Sequence, residues 1–278
     1  MSKTVAAILL ALVAVTHPGA APLLQAPGQA QPPLRVFLRG APKNHGPAGN
    51  GLHDSEVWVR EWGALLTARG ARVDGGLQFP TPAQLENTDV LVMFAANAGT
   101  ILGAERASLE TFLKRGGGIV CLHDSVVTAR EPHWFKTIVG GAWENGVAKY
   151  FEGENTYYYV NSEHPITKGA SNFTITDEVY WDLHMMPDAQ VLAVSMQPKA
   201  PGSATADSSI PKLIPQMWVY HGQLEGGQPY RAFVSLLGHH FSTFASPHVR
   251  AIVLRGIAWA AQRPPDSLAT ADELSGLR

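Results

Sequence analysis

The run Gly116-Gly117-Gly118-Ile119-Val120-Cys121-Leu122-His123-Asp124-Ser125 constrains this chain more than any other stretch. Three glycines end a helix, four apolar residues follow at the length of a buried parallel strand, and the run breaks into His-Asp-Ser. In an open α/β sheet, ligands bind outside the carboxyl ends of the strands. His123 is therefore the leading site residue, with Asp124 beside it. The plain alternative is a buried, hydrogen-bonded histidine at a strand end.

Upstream, strands and helices alternate. Residues 34–39 read as a first strand opening into a glycine- and proline-rich loop, 40–51, that holds Lys43, Asn44 and His45. His53-Asp54-Ser55 then leads a helix whose Val57, Trp58, Trp62, Leu65 and Leu66 recur at helical spacing and which stops at Gly70. His53 thus stands just before a helix N-terminus, a favourable place for an anion or polar ligand. A short strand at 71–75, a helical turn at 81–87, a buried strand at 89–95 and a helix at 103–114 complete a β-α-β-α-β-α-β order with short connections. That order calls for a doubly wound parallel sheet. Asn97, just after the third strand, is placed either to orient a ligand or to cap the next helix.

Downstream the order loosens. A helix is expected over 132–139 and a strand over 156–160; His164 precedes Pro165 in a turn, 163–169, and so is biased to an extended backbone. Asp177-Glu178-Val179-Tyr180 sets paired carboxylates next to aromatic residues. A strand at 191–196 and a Ser/Ala/Pro/Gly loop at 198–211 precede two strands, 214–221 and 232–237, joined through Gly226-Gly227 as a hairpin. The second ends in Gly238-His239-His240, and an apolar helix covers 247–262. The last dozen residues are expected to fray.

At the other end, Lys3, the apolar run 5–15 and the small residues Gly19, Ala20 and Ala21 read as a secretory signal cleaved between about residues 19 and 30. The run is too short to span a bilayer, so no stable membrane span is expected. Export implies an oxidising compartment, yet Cys121 is the only cysteine, so no intramolecular disulfide forms and stability rests on the core. A formal net charge of -2 with no basic stripe argues against nucleic acid as a partner. The organisation expected is a signal peptide and linker over 1–33, one domain over 34–263 and a tail over 264–278, with self-association left open.

If the strand ends share one rim, His45 and His53, His123 with Asp124, and His239 with His240 meet there, joined by His164 and by Asp177 and Glu178 from the inserted region. Neutral imidazoles with a carboxylate are an ordinary ligand set for zinc and related divalent metals, for which His53, His123 and His239 are the candidates. No HExxH or paired-cysteine motif strengthens that reading. Without a metal the same histidines serve as general acid and base groups. Asp177-Glu178 reads equally as a solvated turn. Tyr180, Trp181, Trp218 and Tyr220 suit a sugar-stacking wall, though core packing is the commoner use of an aromatic.

The segments GGGIVCLHDS, HPITKG followed by FTITDEVY, and LLGHH with the helix VRAIVLRGIAWAA together resemble the ThuA-like family, named for trehalose utilisation. The resemblance spans residues 34–262. It implies the flavodoxin-like three-layer sandwich of class I glutamine amidotransferases, a mostly parallel sheet here carrying a late antiparallel hairpin. In those amidotransferases a cysteine sits at the strand-to-helix elbow, where this chain has His123. Cys121 lies two residues earlier, inside the strand, a poor setting for an activated thiolate. The resemblance therefore implies carbohydrate use without glutamine hydrolysis: a hydrolase or lyase acting on a sugar or an oxidised keto-glycoside. In that reading His123, His53, His239, Asp177 and Glu178 carry catalysis, while His45, Asn97, Asp124, His164, Tyr180, Trp218 and His240 contact substrate. A non-catalytic carbohydrate-binding module is the alternative from another class.

Overall fold

The computed structural model describes residues 31–47, 49–198 and 212–278. The expected signal peptide and most of the loop at 198–211 lie outside the described residues. The chain divides into residues 1–32 and 33–278, and the second unit is the one described below.

Its first half follows the expected alternation. Strands β1 (Arg35–Arg39), β2 (Arg72–Gly76), β3 (Val90–Met93) and β4 (Gly118–Leu122) alternate with helices α1 (Ser55–Ala68), α2 (Pro82–Glu86) and α3 (Gly103–Lys114). After β4 come a short strand β5 (Val127–Thr128), helix α4 (Pro132–Val139), β6 (Gly141–Glu144), β7 (Lys149–Tyr159), β8 (Phe173–Trp181), β9 (His184–Met185), β10 (Gln190–Met196), β11 (Leu213–Gln223) and β12 (Pro229–Ser235). Helices α5 (Pro247–Ala260) and α6 (Ala271–Ser275) close the chain.

Nine strands form one sheet in the order β2-β1-β3-β4-β12-β11-β10-β7-β8, and β5, β6 and β9 form a small second sheet. The ladders from β2 to β12 are parallel; those from β12 to β8 are antiparallel. The hairpin of β11 and β12 is therefore the start of a larger antiparallel half. Sequence pattern underestimates that half because β7 begins with four exposed residues, Lys149 to Glu152, all of which the strand expected at 156–160 leaves out.

Period-two alternation sorts the parallel strands into two cores. Val36, Leu38, Val90, Val92, Val120 and Leu122 face a cluster with Trp58, Trp62 and Leu66 of α1 and Ile252 and Ile257 of α5. Phe37, Leu91, Met93, Ile119 and Cys121 face a second cluster with Leu85 of α2, Leu109 and Phe112 of α3 and Phe135 of α4. Helices thus cover both faces, which makes three layers. Helix α5 ends so close over β4 that a Cβ on Gly118 would meet the Ala260 carbonyl oxygen at 2.2 Å. Glycine there is a requirement of packing.

The expectation of a frayed tail is overturned. Leu268 and Leu277 are buried in the first cluster, and Arg255 donates to Asp266 at 2.6 Å. Arg69, just past the end of α1, reaches Glu273 at 3.1 Å, and Thr270 and Glu273 form a capping box that starts α6. The apolar spacing over 266–278 is too sparse to read as a docked segment; its partners lie far away in sequence. Leu268→Ala and Leu277→Ala should each cost about 2–5 kcal/mol, measured by chemical denaturation; a change under about 0.5 kcal/mol would mean the tail does not pack.

Candidate functional site

Three histidines leave three different loops at the carboxyl edge of the parallel strands. His123 is the first residue past β4, at φ 52°, and His53 ends the loop after β1, at φ 47°. His239 follows β12 through Gly238, at φ 135°. A left-handed backbone costs a residue with a Cβ about 1–3 kcal/mol, so the surroundings must hold His53 and His123 in place. The loops clasp each other: the His53 amide donates to the His239 carbonyl at 3.0 Å and the Phe241 amide to the Gly51 carbonyl at 2.7 Å. Asp54, at the N-cap of α1, caps no helical amide. Its carboxylate instead takes Lys43 Nζ at 2.5 Å and the Gly51 amide at 2.8 Å, fixing the loop that carries His53.

The ring nitrogens converge. His53 Nε2 stands 3.0 Å from His123 Nε2 and 3.0 Å from His239 Nδ1. His123 Nδ1 faces the Leu236 carbonyl at 3.0 Å. Burial, and then the neighbouring imidazoles, push the pKa of His53 down to about 3. Burial likewise lowers His239 to about 4 and His123 well below the usual range. All three rings are neutral at pH 7.

Glu178 closes the group, with Oε1 3.4 Å from His239 Nδ1 and Oε2 3.6 Å from His123 Nε2. The donor atoms of His53, His123, Glu178 and His239 all lie within 4.8 Å of one another, close enough that they could hold a metal ion. The Tyr180 hydroxyl donates to Glu178 Oε2 at 3.0 Å and lies 3.1 Å from His123 Nε2. Burial raises Glu178 to about 7, against the lowering effect of Tyr180. It can therefore give or take a proton near neutrality.

Asp177 has a different place from the catalytic one expected for it. Fully buried, its carboxylate accepts the amides of Gly238 at 3.2 Å and His239 at 3.0 Å and the hydroxyl of Thr243. It positions the His239 loop from behind. Asp124 is also behind the site: it is buried, with Oδ2 3.2 Å from His53 Nδ1, and burial raises it to about 7. It backs His53, so the expected substrate contact is corrected.

The rim carries what a ligand would meet. His45 is exposed, its ring 4.9 Å from that of His53 and 5.3 Å from that of His239. The strand has ended before His239-His240, so the two are not forced to opposite faces: His239 turns inward and His240 binds Glu152 at 2.8 Å. Trp143 lies edge-on to Tyr180 at 4.8 Å and near Tyr150 at 6.3 Å, and Tyr150 is 61% exposed. Trp143, Tyr150 and Glu152 were missed in the sequence. They lie on β6 and on the start of β7, where no alternation announces a strand.

Three expected contacts are not assembled. Trp218 is fully buried and donates Nε1 to the Val139 carbonyl at 2.8 Å, so it is core and not a sugar platform. His164 packs edge-on against Trp259 at 5.2 Å. Arg231, near the start of β12, bonds the carbonyl of that tryptophan, so His164 belongs to the end of the strand opposite His239. Asn97 is exposed at φ 55° in a turn closed by Thr100, and its side chain joins none of the bonds of the cluster among the described residues. Cys121 is fully buried, and burial pushes its thiol far up. A thiolate nucleophile there has no support.

The family model described as ThuA, trehalose utilisation, matches residues 50–260. No curated protein matches the chain. Among solved structures, a ThuA-like protein from Bacteroides uniformis superposes with a TM-score of 0.60 at 18% identity, over 86% of this chain and 97% of that one. Another from Parabacteroides merdae gives 0.60 at 16% identity, over 82% and 90%. A β-galactosidase from Bacillus circulans sp. alkalophilus gives 0.51 at 12% identity, over 83% of this chain but 32% of its own. At these identities the likenesses speak to fold.

Asp177→Ala strips buried donors of their acceptor, at about 1–3 kcal/mol each. It should therefore lower stability by at least about 2 kcal/mol; a fully stable variant in a urea titration would show that the carboxylate positions nothing. His164, held at about 4 by burial, is neutral in the fold, so its contribution is present above the ordinary 6.5 and is lost as pH falls toward 4. His164→Gln should flatten the fall in stability between pH 6.5 and 4 relative to the wild type; parallel curves would remove His164 from the acid response.

Proposed function

This chain belongs to the ThuA, trehalose-utilisation family, and on that footing we propose that it is an enzyme of carbohydrate utilisation. We read it as a hydrolase or lyase acting on a sugar or an oxidised keto-glycoside. The observation that carries this reading is Glu178, buried, raised to about 7 and bonded to the Tyr180 hydroxyl, beside three converging neutral imidazoles.

A ketone acidifies the neighbouring C–H, so the glycosidic bond can be broken by elimination. Glu178 takes the proton from that carbon, the electron pair forms the new C=C bond, and the glycosidic C–O bond breaks. The departing oxygen takes that proton back from Glu178, which returns to the carboxylate bonded to the Tyr180 hydroxyl. Subsequent addition of water would complete a hydrolysis. This route needs no pair of carboxylates flanking the bond in the manner of ordinary glycosidases. Trp143 and the exposed Tyr150 offer flat faces against which a sugar ring can stack. The imidazoles, held neutral, supply lone pairs and not protons.

Two further parts of the reading rest on other observations. The order β2-β1-β3-β4-β12 supports a flavodoxin-like assignment of the parallel half, since it matches the 2-1-3-4-5 order of that fold. Lys3 and the apolar run 5–15 support export.

The test is incubation of the purified chain with disaccharides, trehalose among them, and their keto derivatives, with products followed by mass spectrometry. Turnover is expected on at least one, falling about 10²–10⁴-fold in Glu178→Gln. Sugar binding with no product over long incubation would replace this reading with a carbohydrate-binding module.

A further inference from the structure

We propose that His53 Nε2, His123 Nε2 and His239 Nδ1 together bind one divalent first-row transition cation, zinc by first choice, with Glu178 beside the fourth coordination position. The argument is one of hydrogen counting. A carbonyl oxygen only accepts, so the 3.0 Å contact with the Leu236 carbonyl places the hydrogen of His123 on Nδ1 and leaves Nε2 bare. His53 Nε2 lies 3.0 Å from that bare nitrogen and 3.0 Å from His239 Nδ1. If His53 Nε2 is also bare, lone pair faces lone pair. If it carries the hydrogen, one hydrogen must serve two nitrogens, and His53 Nδ1, which has no hydrogen-bond partner, becomes a bare buried atom.

A cation at the convergence point removes the conflict, because all three lone pairs then point at positive charge. The outer groups agree with that assignment. A metal-bound histidine normally directs its other N–H at a carbonyl or carboxylate. Here His123 Nδ1 makes that bond with the Leu236 carbonyl, while Asp124 Oδ2 lies 3.2 Å from His53 Nδ1 outside hydrogen-bond geometry and Glu152 Oε2 lies 3.8 Å from His239 Nε2, so a carboxylate stands near each of the other two outer nitrogens. The nitrogen spacing also fits: zinc–nitrogen bonds of about 2.0–2.1 Å at a tetrahedral angle separate the nitrogens by roughly 3.3 Å. Three imidazoles leaving one position open is the donor set of a catalytic zinc site. Use of such an ion to polarise a keto sugar rests on the function proposed above; its binding does not.

A second group, His133, Glu144 and His184, provides the internal control. It is more exposed, and His184 Nε2 is already satisfied by Glu144 at 2.5 Å, so it shows no such crowding.

The experiment is metal analysis of the full chain by inductively coupled plasma mass spectrometry, after stripping with chelator, equilibration with zinc and dialysis. One zinc per chain is expected for the wild type, Glu178→Gln and His184→Ala, and at least a tenfold loss for His123→Ala and His53→Ala. Circular dichroism checks that each variant folds. Should a histidine variant fail to fold, the thermal melt of the wild type decides: zinc should raise its midpoint by several degrees and chelator should reverse the shift. No stoichiometric metal in the wild type, no midpoint shift, or loss of the metal in His184→Ala but not in His123→Ala would overturn the proposal. Bound zinc without turnover on any glycoside would sink the enzyme reading and leave the cation site standing.

Discussion

Ser235 of β12 stands opposite Leu122 of β4 in a parallel ladder, although β12 reaches that place through an antiparallel hairpin. That register joins the two halves of the sheet, and the site depends on it. Both strands deliver their next residues to the same edge, so His123 and His239 emerge as neighbours from segments more than a hundred residues apart. Strand β1, two places along in the parallel half, brings His53 to the same edge. A one-residue slip between β4 and β12 would turn the inward faces of β12 outward and separate the rings.

The antiparallel half completes what the parallel half begins. Strand β8 lies at the far edge of the sheet, yet its end carries Asp177, Glu178 and Tyr180 back over the strand ends. Asp177 receives the Gly238 and His239 amides, so the position of His239 is set from both halves. Gly238 is required at that contact: φ is 135°, and a Cβ would meet the Phe244 ring at 2.8 Å and the His123 Cβ at 3.2 Å. His123 and His239 can approach only because nothing projects from Gly238, the residue just before the second histidine.

How much of this is legible in the sequence follows from the range of the signals. Strands β1, β3 and β4 and helices α3 and α4 are visible because burial on both faces, or a clear apolar stripe, is local information. The strand-end rule then brings His53, His123 and His239 to one rim without any motif spacing. It says nothing of His164, an equally conspicuous histidine expected at the rim from the inserted region, which sits in a turn at the other end of β12. The roles of Asp177 and Trp218 were hidden for a different reason. A carboxylate that accepts distant amides and an indole that donates to the carbonyl at the end of a helix are fixed by tertiary neighbours, and adjacent residues say nothing of them. The docked tail and the β6–β7 rim escape for the same reason.

The protonation states of the cluster bear on why it is there. Three imidazoles are held neutral, which withdraws stability as pH falls below about 6.5, toward 4 for His239 and 3 for His53. Asp124, Asp177 and Glu178 are raised to about 7, 6 and 7, which withdraws stability as pH rises from about 4 toward 7. The two responses oppose each other, and the fold gains nothing from either. Apolar side chains of similar volume commonly stabilise such an interior as well or better. Holding two histidines at positive φ adds a further cost. A chain that needed only to fold would have no use for nitrogens crowded to 3.0 Å, so folding alone does not account for the cluster.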